Sequence, residues 1–265
     1  MSTNTAPAVE IHESGDSAVR VVAVSADPER NWDTVHRLAG WLDTCGAEGL
    51  HGAVPTYDSV LVEFDPALVS AKQLRAFIQL GTRQLGLRQL DLGGSSARGP
   101  QEFEVPVAYG GDFGPDLEKV AEQQGITVDE VIALHSANSY TIRCMGAPAG
   151  SPMMDGPDFP LPVPRLKDPR LSVPAGAIAV AGRQAVIAPA TAPGGWCVIG
   201  QTPLTVLDLG RDPLVPYRPG DTLRFRPISH EDFDGYVGTR LAAVRPLDLH
   251  PVEPQPAAAQ QGVAL

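Results

Sequence analysis

The chain has 265 residues, 43% of them hydrophobic, which is enough to bury a core in one or two domains. A net charge of −11, from 20 basic and 31 acidic residues with no Lys or Arg run, argues against a nucleic-acid backbone as partner. No apolar stretch approaches a membrane span and the polar start MSTNTAPAVEIHESGDS does not read as a signal peptide, while three widely spaced cysteines (Cys45, Cys144, Cys197) fit a reducing cytoplasm better than a disulfide or zinc framework.

With 27 Gly and 26 Pro but only 19% charged residues, the chain reads as folded, turn-rich and strand-rich. Residues 1–10 are expected to be a flexible N-terminus. From residue 11 to 93 the order is strand, helix, strand, strand, helix, strand. SAVRVVAVS is β-branched and strand-like. Trp32, Val35, Leu38, Ala39 and Leu42 then recur at helical spacing and give one apolar face. GLHGAVP and SVLVEF follow as strands around TYD. In SAKQLRAFIQL, Leu74, Phe77 and Ile78 share one side behind Ser70 as N-cap, and LRQLDL closes the unit. This βαββαβ order is the ferredoxin-like arrangement.

GGSSARGP marks a linker at 94–100, and 101–250 reads as a second domain. EFEVPVAYGG is a strand; GPDLEKVAEQQG is a helix stopped by Gly125, and TVDEVIALHSA opens with Thr127 and Glu130 in capping-box spacing. YTIRCMG, GAIAVAG, QAVIAP, GWCVIG, LTVLDL and TLRFRPI then read as short strands punctuated by Pro and Gly, as in a barrel or sandwich. Leu223 and Phe225 face one side of the last. Residues 251–265 are expected to be a disordered tail.

No phosphate loop, dinucleotide fingerprint, HExxH or GxSxG is present, and no region gathers His, Asp and Glu as a metal site would. The Gly- and Pro-rich stretch Cys144–Gly156, CMGAPAGSPMMDG, carries a single ionisable side chain besides its thiol, Asp155, and suits an active-site loop, a binding loop or a loop without chemistry.

Motifs in the second half point to a family. VPVAYGGDFGPDLEKVAEQQGITVDEVIALHSANSYTI, VPRLKDPRLSVPAGAIAVAGRQAVIAP, PGGWCVIGQTPL and YRPGDTLRFRPIS, together with GDSAVRVV and DSVLVEFDP near the start, resemble the family of allophanate hydrolase subunit 1, also described as the B subunit of 5-oxoprolinase or the kinase-A inhibitor family. The resemblance spans roughly residues 11–230 and implies a ferredoxin-like domain followed by a cyclophilin-like β-barrel. It also implies a larger homologous barrel subunit as partner, a small-molecule ligand, and ATP with Mg²⁺ used at the level of a complex that opens cyclic amides. A kinase-inhibiting regulator and a member recruited to a different small molecule are the alternatives.

The family's G-F-x-P-G-F-x-Y-L segment falls here on Gly146 to Met154. Both glycines, Gly146 and Gly150, are kept, whereas Ala147, Ser151 and Met153 stand at the aromatic positions. Later, Ala177 replaces the Ser of VPAGSV and Ala188 the Tyr of IYP. The resemblance thus implies a pocket relined with smaller, more deformable side chains.

His135 is the candidate acid/base, against the plainer reading of a histidine closing its helix or packed half-buried. The candidate substrate-binding residues are Tyr140, Gly146, Gly150, Arg165, Arg170, Gln184, Trp196 and Thr202. Arg165 and Arg170, in the Pro-stiffened PRLKDPR, suit a carboxylate or phosphate, or else pair with nearby acids. Gln184 reads an amide or faces solvent; Trp196 stacks on a ligand or packs at the barrel mouth; Thr202 binds or serves a turn. Cys144 and Cys197 are expected to be inert thiols, and Met153–Met154 gap filler. No metal-ligating set is expected.

Overall fold

The computed structural model describes residues 7–86 and 99–244. It is mixed α+β, with an N-terminal sheet layered against helices and a closed barrel behind it. The first unit runs β1 (Val9–Glu13), β2 (Ala18–Ala23), α1 (Pro28–Thr44), β3 (Leu50–Pro55), β4 (Ser59–Phe64) and α2 (Ala71–Gly86). Its strands are antiparallel in the order β1-β2-β4-β3.

The helix α1 begins where its sequence dictates. Asp27 accepts the Glu29 amide at 3.0 Å, Pro28 fits the first turn, and Val35, Leu38, Ala39 and Leu42 bury one face. Full burial of each large aliphatic side chain contributes about 1.5–3 kcal/mol. Ser70 and Gln73 cap α2 reciprocally, and Leu74 and Ile78 bury against Val19, Val21, Val60 and Val62 of the sheet. Val9 and Glu10, expected in a flexible end, belong to β1. That strand takes the sheet edge beside β2, satisfying backbone groups of the β2 edge. The closing strand expected in LRQLDL, most of the linker and the C-terminal tail lie outside the described residues.

The second unit contains β5 (Glu102–Tyr109), α3 (Leu117–Gln124), α4 (Val128–Ser136), β6 (Ser139–Gly146), β7 (Ser151–Asp155), β8 (Arg170–Val173), β9 (Ala177–Ala181), β10 (Gln184–Ile187), β11 (Ala192–Gly194), β12 (Cys197–Gln201) and β13 (Thr222–Ile228). Seven of these close a barrel in the order β10-β7-β6-β13-β5-β12-β9, and β8 and β11 form a separate two-stranded ribbon. All pairings are antiparallel except β13 with β5, which is parallel. The capping box of Thr127 and Glu130 forms as its spacing requires, and Gly125 ends α3 in the left-handed region at φ 69°.

The barrel is filled, not hollow. Phe103, Ile142, Met154, Ile178, Val180, Leu223 and Phe225 meet in its lumen, since alternate residues of each strand point inward. Two local expectations change. LTVLDL is not a barrel strand: Pro203 precedes it, and Thr205 instead exchanges hydrogen bonds with the segment around Thr239 and Leu241. Much of Cys144–Gly156 is strand rather than loop, being the hairpin of β6 and β7. Pro152 stands opposite Met145 near the hairpin turn, beyond the stretch of β7 that pairs with β10.

Candidate functional site

Each wall strand of a filled barrel has an outer face, and part of that face is covered. On β9, Ile178 and Val180 enter the lumen, while Ala177 and Ala179 join Val173 and Val198 in a second cluster under the β8–β11 ribbon. The same alternation splits the methionine pair: Met154 is in the lumen and Met153 faces outward. Between the outer wall, the ribbon and the hairpin turn lies a cavity of about 470 Å³.

The hairpin supplies Gly146, Ala147, Pro148, Ser151 and Met153 to this cavity. Ala179, Val186 and Ala188 form its floor, the ribbon adds Val173 and Pro193, and Arg165 and Trp196 stand at the loops beside it. All four positions where the resemblance leads one to expect an aromatic ring, Ala147, Ser151, Met153 and Ala188, line this one space. Ala177 packs behind it, its carbonyl accepting the Ala188 amide at 2.9 Å.

The cavity carries one charged side chain. The Arg165 guanidinium lies over the Trp196 ring at 5.7 Å from its centroid, a cation–π arrangement. No carboxylate pairs with it among the described residues. Cys144 adds a thiol whose ionisation burial pushes up, so it stays neutral.

One wall comes from the other unit. Thr56, in the turn between β3 and β4, lines the cavity, and α1 holds it there. On that helix the rings of Trp32 and His36, one turn apart, lie against each other with centroids 4.2 Å apart. Trp32 Nε1 donates to the Arg143 carbonyl at 2.7 Å, and His36 Nε2 lies 3.1 Å from the Thr56 carbonyl. The Arg143 side chain grips Glu29 through two hydrogen bonds of 2.6 and 2.9 Å and Asp155 at 2.7 Å. Burial pushes the His36 imidazole down to about 4, keeping it neutral within this junction.

Of the residues singled out from the sequence, Gly146, Arg165 and Trp196 meet in the cavity. Gly150 sits just below, in the turn at φ 92°, where its carbonyl accepts from the Tyr217 hydroxyl at 2.7 Å; a side chain there would collide with Val215. Gln184 is on β10 opposite Asp155, away from the cavity. Thr202 lines a different cavity of about 440 Å³ and caps a turn by accepting the Leu204 amide at 3.3 Å.

His135 and Tyr140 are placed in the core instead. The imidazole is fully buried, flat against Phe225 with centroids 4.4 Å apart, and its Nδ1 is 2.7 Å from the Tyr109 hydroxyl. The Tyr140 hydroxyl donates to the His135 carbonyl at 2.7 Å. Burial pushes His135 down to about 3, and its Nε2 has no partner among the described residues. The ring is packed in the core, away from the cavity. Arg170 is also away from it and follows the second of its expected readings: two hydrogen bonds of 2.7 and 2.8 Å bind it to the buried Asp116, which also accepts the Val198 amide at 2.8 Å.

Sequence reading missed Thr56, Ala179, Val186 and the ribbon residues. The Trp32–His36 spacing was the available signal for the first, and the alternating small residues of AIAVA for the second.

Residues 9–217 match the family model described as carboxyltransferase domain, subdomain C and D. The chain is 30% identical over 230 residues to the B subunit of 5-oxoprolinase from Bacillus subtilis (strain 168), covering 86% of this chain and 96% of that protein. Over 125 residues it is 42% identical to the corresponding 5-oxoprolinase subunit of Escherichia coli O157:H7, covering 47% of this chain and 57% of that one. Among solved structures, TTHA0988 superposes with a TM-score of 0.65 at 31% identity over 90% of this chain, which spans only 44% of that longer protein. The K. lactis urea amidolyase shares the fold, with a TM-score of 0.72 at 16% identity over 92% of this chain and 16% of its own length.

Proposed function

This chain belongs to the carboxyltransferase-domain family of subdomains C and D, and from that premise we propose that it is the smaller subunit of an amide-opening assembly of the 5-oxoprolinase type. The carrying observation is the reach of the likeness to a protein named as a 5-oxoprolinase subunit, which runs through both units and 96% of that protein. A subunit has a partner, and a larger homologous barrel subunit is the partner we propose. The cavity behind Arg165 and Trp196 is this chain's contribution to ligand binding, relined by Ala147, Ser151, Met153 and Ala188.

ATP and Mg²⁺ fit this chain poorly. Among the described residues no group of three or more His, Cys, Asp or Glu is placed to hold a cation, and the sequence has no phosphate loop. In this reading the phosphates and the ion are handled elsewhere in the assembly. What the chain's own residues do is bind and orient: Arg165 faces an anionic group, Trp196 and the methyl-lined floor hold the rest, and the Thr56 turn limits water at one edge. The purified chain, combined with its larger barrel homologue and the remaining parts of the assembly, is expected to hydrolyse ATP only when 5-oxoproline is present. ATP turnover indifferent to 5-oxoproline overturns the proposal.

One observation favours a second reading, a binding or regulatory module. The cavity wall holds no carboxylate and no imidazole among the described residues, and hence no acid/base pair. Normal ATP hydrolysis by the partners without this chain, altered only when the chain is added, would select it.

A further inference from the structure

We infer that the cavity under the β8–β11 ribbon binds a monoanionic carboxylate carrying a bulky apolar body, such as an arylalkanoate, in preference to a small polar lactam acid. This rests on the reading above that the cavity is a ligand site, and it adds the ligand's class.

Charge comes first. Arg143, Arg170, Arg224 and Arg226 each meet an acid at 2.6–2.9 Å. Arg165 does not, among the described residues, although it stands at the cavity against Trp196. Seated on the ring face, its planar fork keeps its edge free for two parallel hydrogen bonds, which is the geometry of a carboxylate. No second cation lines the wall, so a second negative charge on the ligand would go unmatched.

Volume and surface fix the remainder. A space of about 470 Å³ lies within the roughly 300–1,000 Å³ range of pockets that enclose drug-sized ligands. Its floor of Ala179, Val186, Ala188 and Met153 has no polar side chain, so a small ligand would leave apolar wall unfilled, while Ser151 adds one hydroxyl on the hairpin wall. Met153 and Trp196 supply a polarizable and a flat surface for an aryl or branched group. The hydroxyl of Thr56 at the rim is engaged with Ser59 at 3.0 Å and adds little demand for a polar body.

The test uses the full isolated chain, without partner or ATP, and titrates it with 4-phenylbutyrate, 4-phenylbutyramide and 5-oxoproline by calorimetry. The acid is expected to bind saturably, with the amide and 5-oxoproline each at least about ten-fold weaker, the scale of one charge-assisted hydrogen bond or a few buried methylenes. Arg165→Gln should bring the acid down to the affinity of the amide. Because Arg165 is exposed, this variant keeps its fold. Ala188→Phe should abolish binding of both phenyl compounds. Equal affinity for acid and amide, an unchanged Arg165→Gln, or tighter binding of 5-oxoproline each overturns the inference. Weak 5-oxoproline binding here together with 5-oxoproline-dependent ATP hydrolysis would put the lactam on another subunit of the assembly, so the two readings fail separately.

Discussion

In the barrel lumen, Met154, Ile178 and Phe225 are fully buried, and the polar groups among them are paired except His135 Nε2: His135 Nδ1 with the Tyr109 hydroxyl, the Tyr140 hydroxyl with the His135 carbonyl. One residue away along the same strands, Met153 and Ala179 face a cavity where a guanidinium rests on an aromatic ring with no acid opposite. Both regions hold a cationic or titratable side chain beside aromatics. The difference is whether partners are already present. A polar group satisfied inside the protein stabilises the fold, whereas one left open at a concave surface is available to a ligand.

That contrast can be tested from its strongest point downward. Asp116→Ala removes the partner of Arg170 and leaves the Val198 amide unpaired. It should cost about 2–4 kcal/mol in urea denaturation. A loss near zero would return Arg170 to the list of free anion binders.

The buried imidazoles give a pH signature. His36 and His135 are held down at about 4 and about 3, below the ordinary value near 6.5 of the unfolded chain. Their folded-state values are depressed, so the unfolded chain takes up protons first. Stability is therefore complete above about pH 6.5 and falls as the pH drops toward 4, by on the order of 2 kcal/mol or more. Urea midpoints across that range measure the fall, and a flat profile would show that neither ring is buried in its neutral form.

His135→Leu strands the Tyr109 hydroxyl and should destabilise by about 1–3 kcal/mol, while also removing part of that pH slope. A variant that kept full stability but lost ligand binding would move His135 back toward the site. At the small end, Arg165→Gln should change stability by less than about 0.5 kcal/mol by thermal melting, as exposed substitutions do, and show its effect in binding alone. A larger loss would make Arg165 structural and erase the contrast.

Much of the frame was legible because it is written locally. Asp27, Ser70 and Thr127 begin their helices, Gly125 ends one, and Val19, Val21, Val60 and Val62 alternate as a half-buried strand pair must. Four positions lining the cavity could be named from Ala147, Ser151, Met153 and Ala188 against the family pattern. β1, β7, β8 and β11 were not legible, since they are short, or interrupted by Pro, and become strands through the partner they meet. His135 was ambiguous for the same kind of reason: nothing in its own helix says that Phe225 and Tyr109 will close over it.

The amino-acid order alone set the capped helices, the faces they bury, and the absence of any metal or phosphate-binding motif, because capping and periodicity act over a few residues. Only the closed barrel decided which side of each strand became lumen and which became cavity wall, and which arginine met an acid. Those outcomes depend on residues such as Asp116 and Arg170, or Thr56 and Gly146, that are far apart in the chain and meet only once the barrel has closed and the N-terminal unit packs against it.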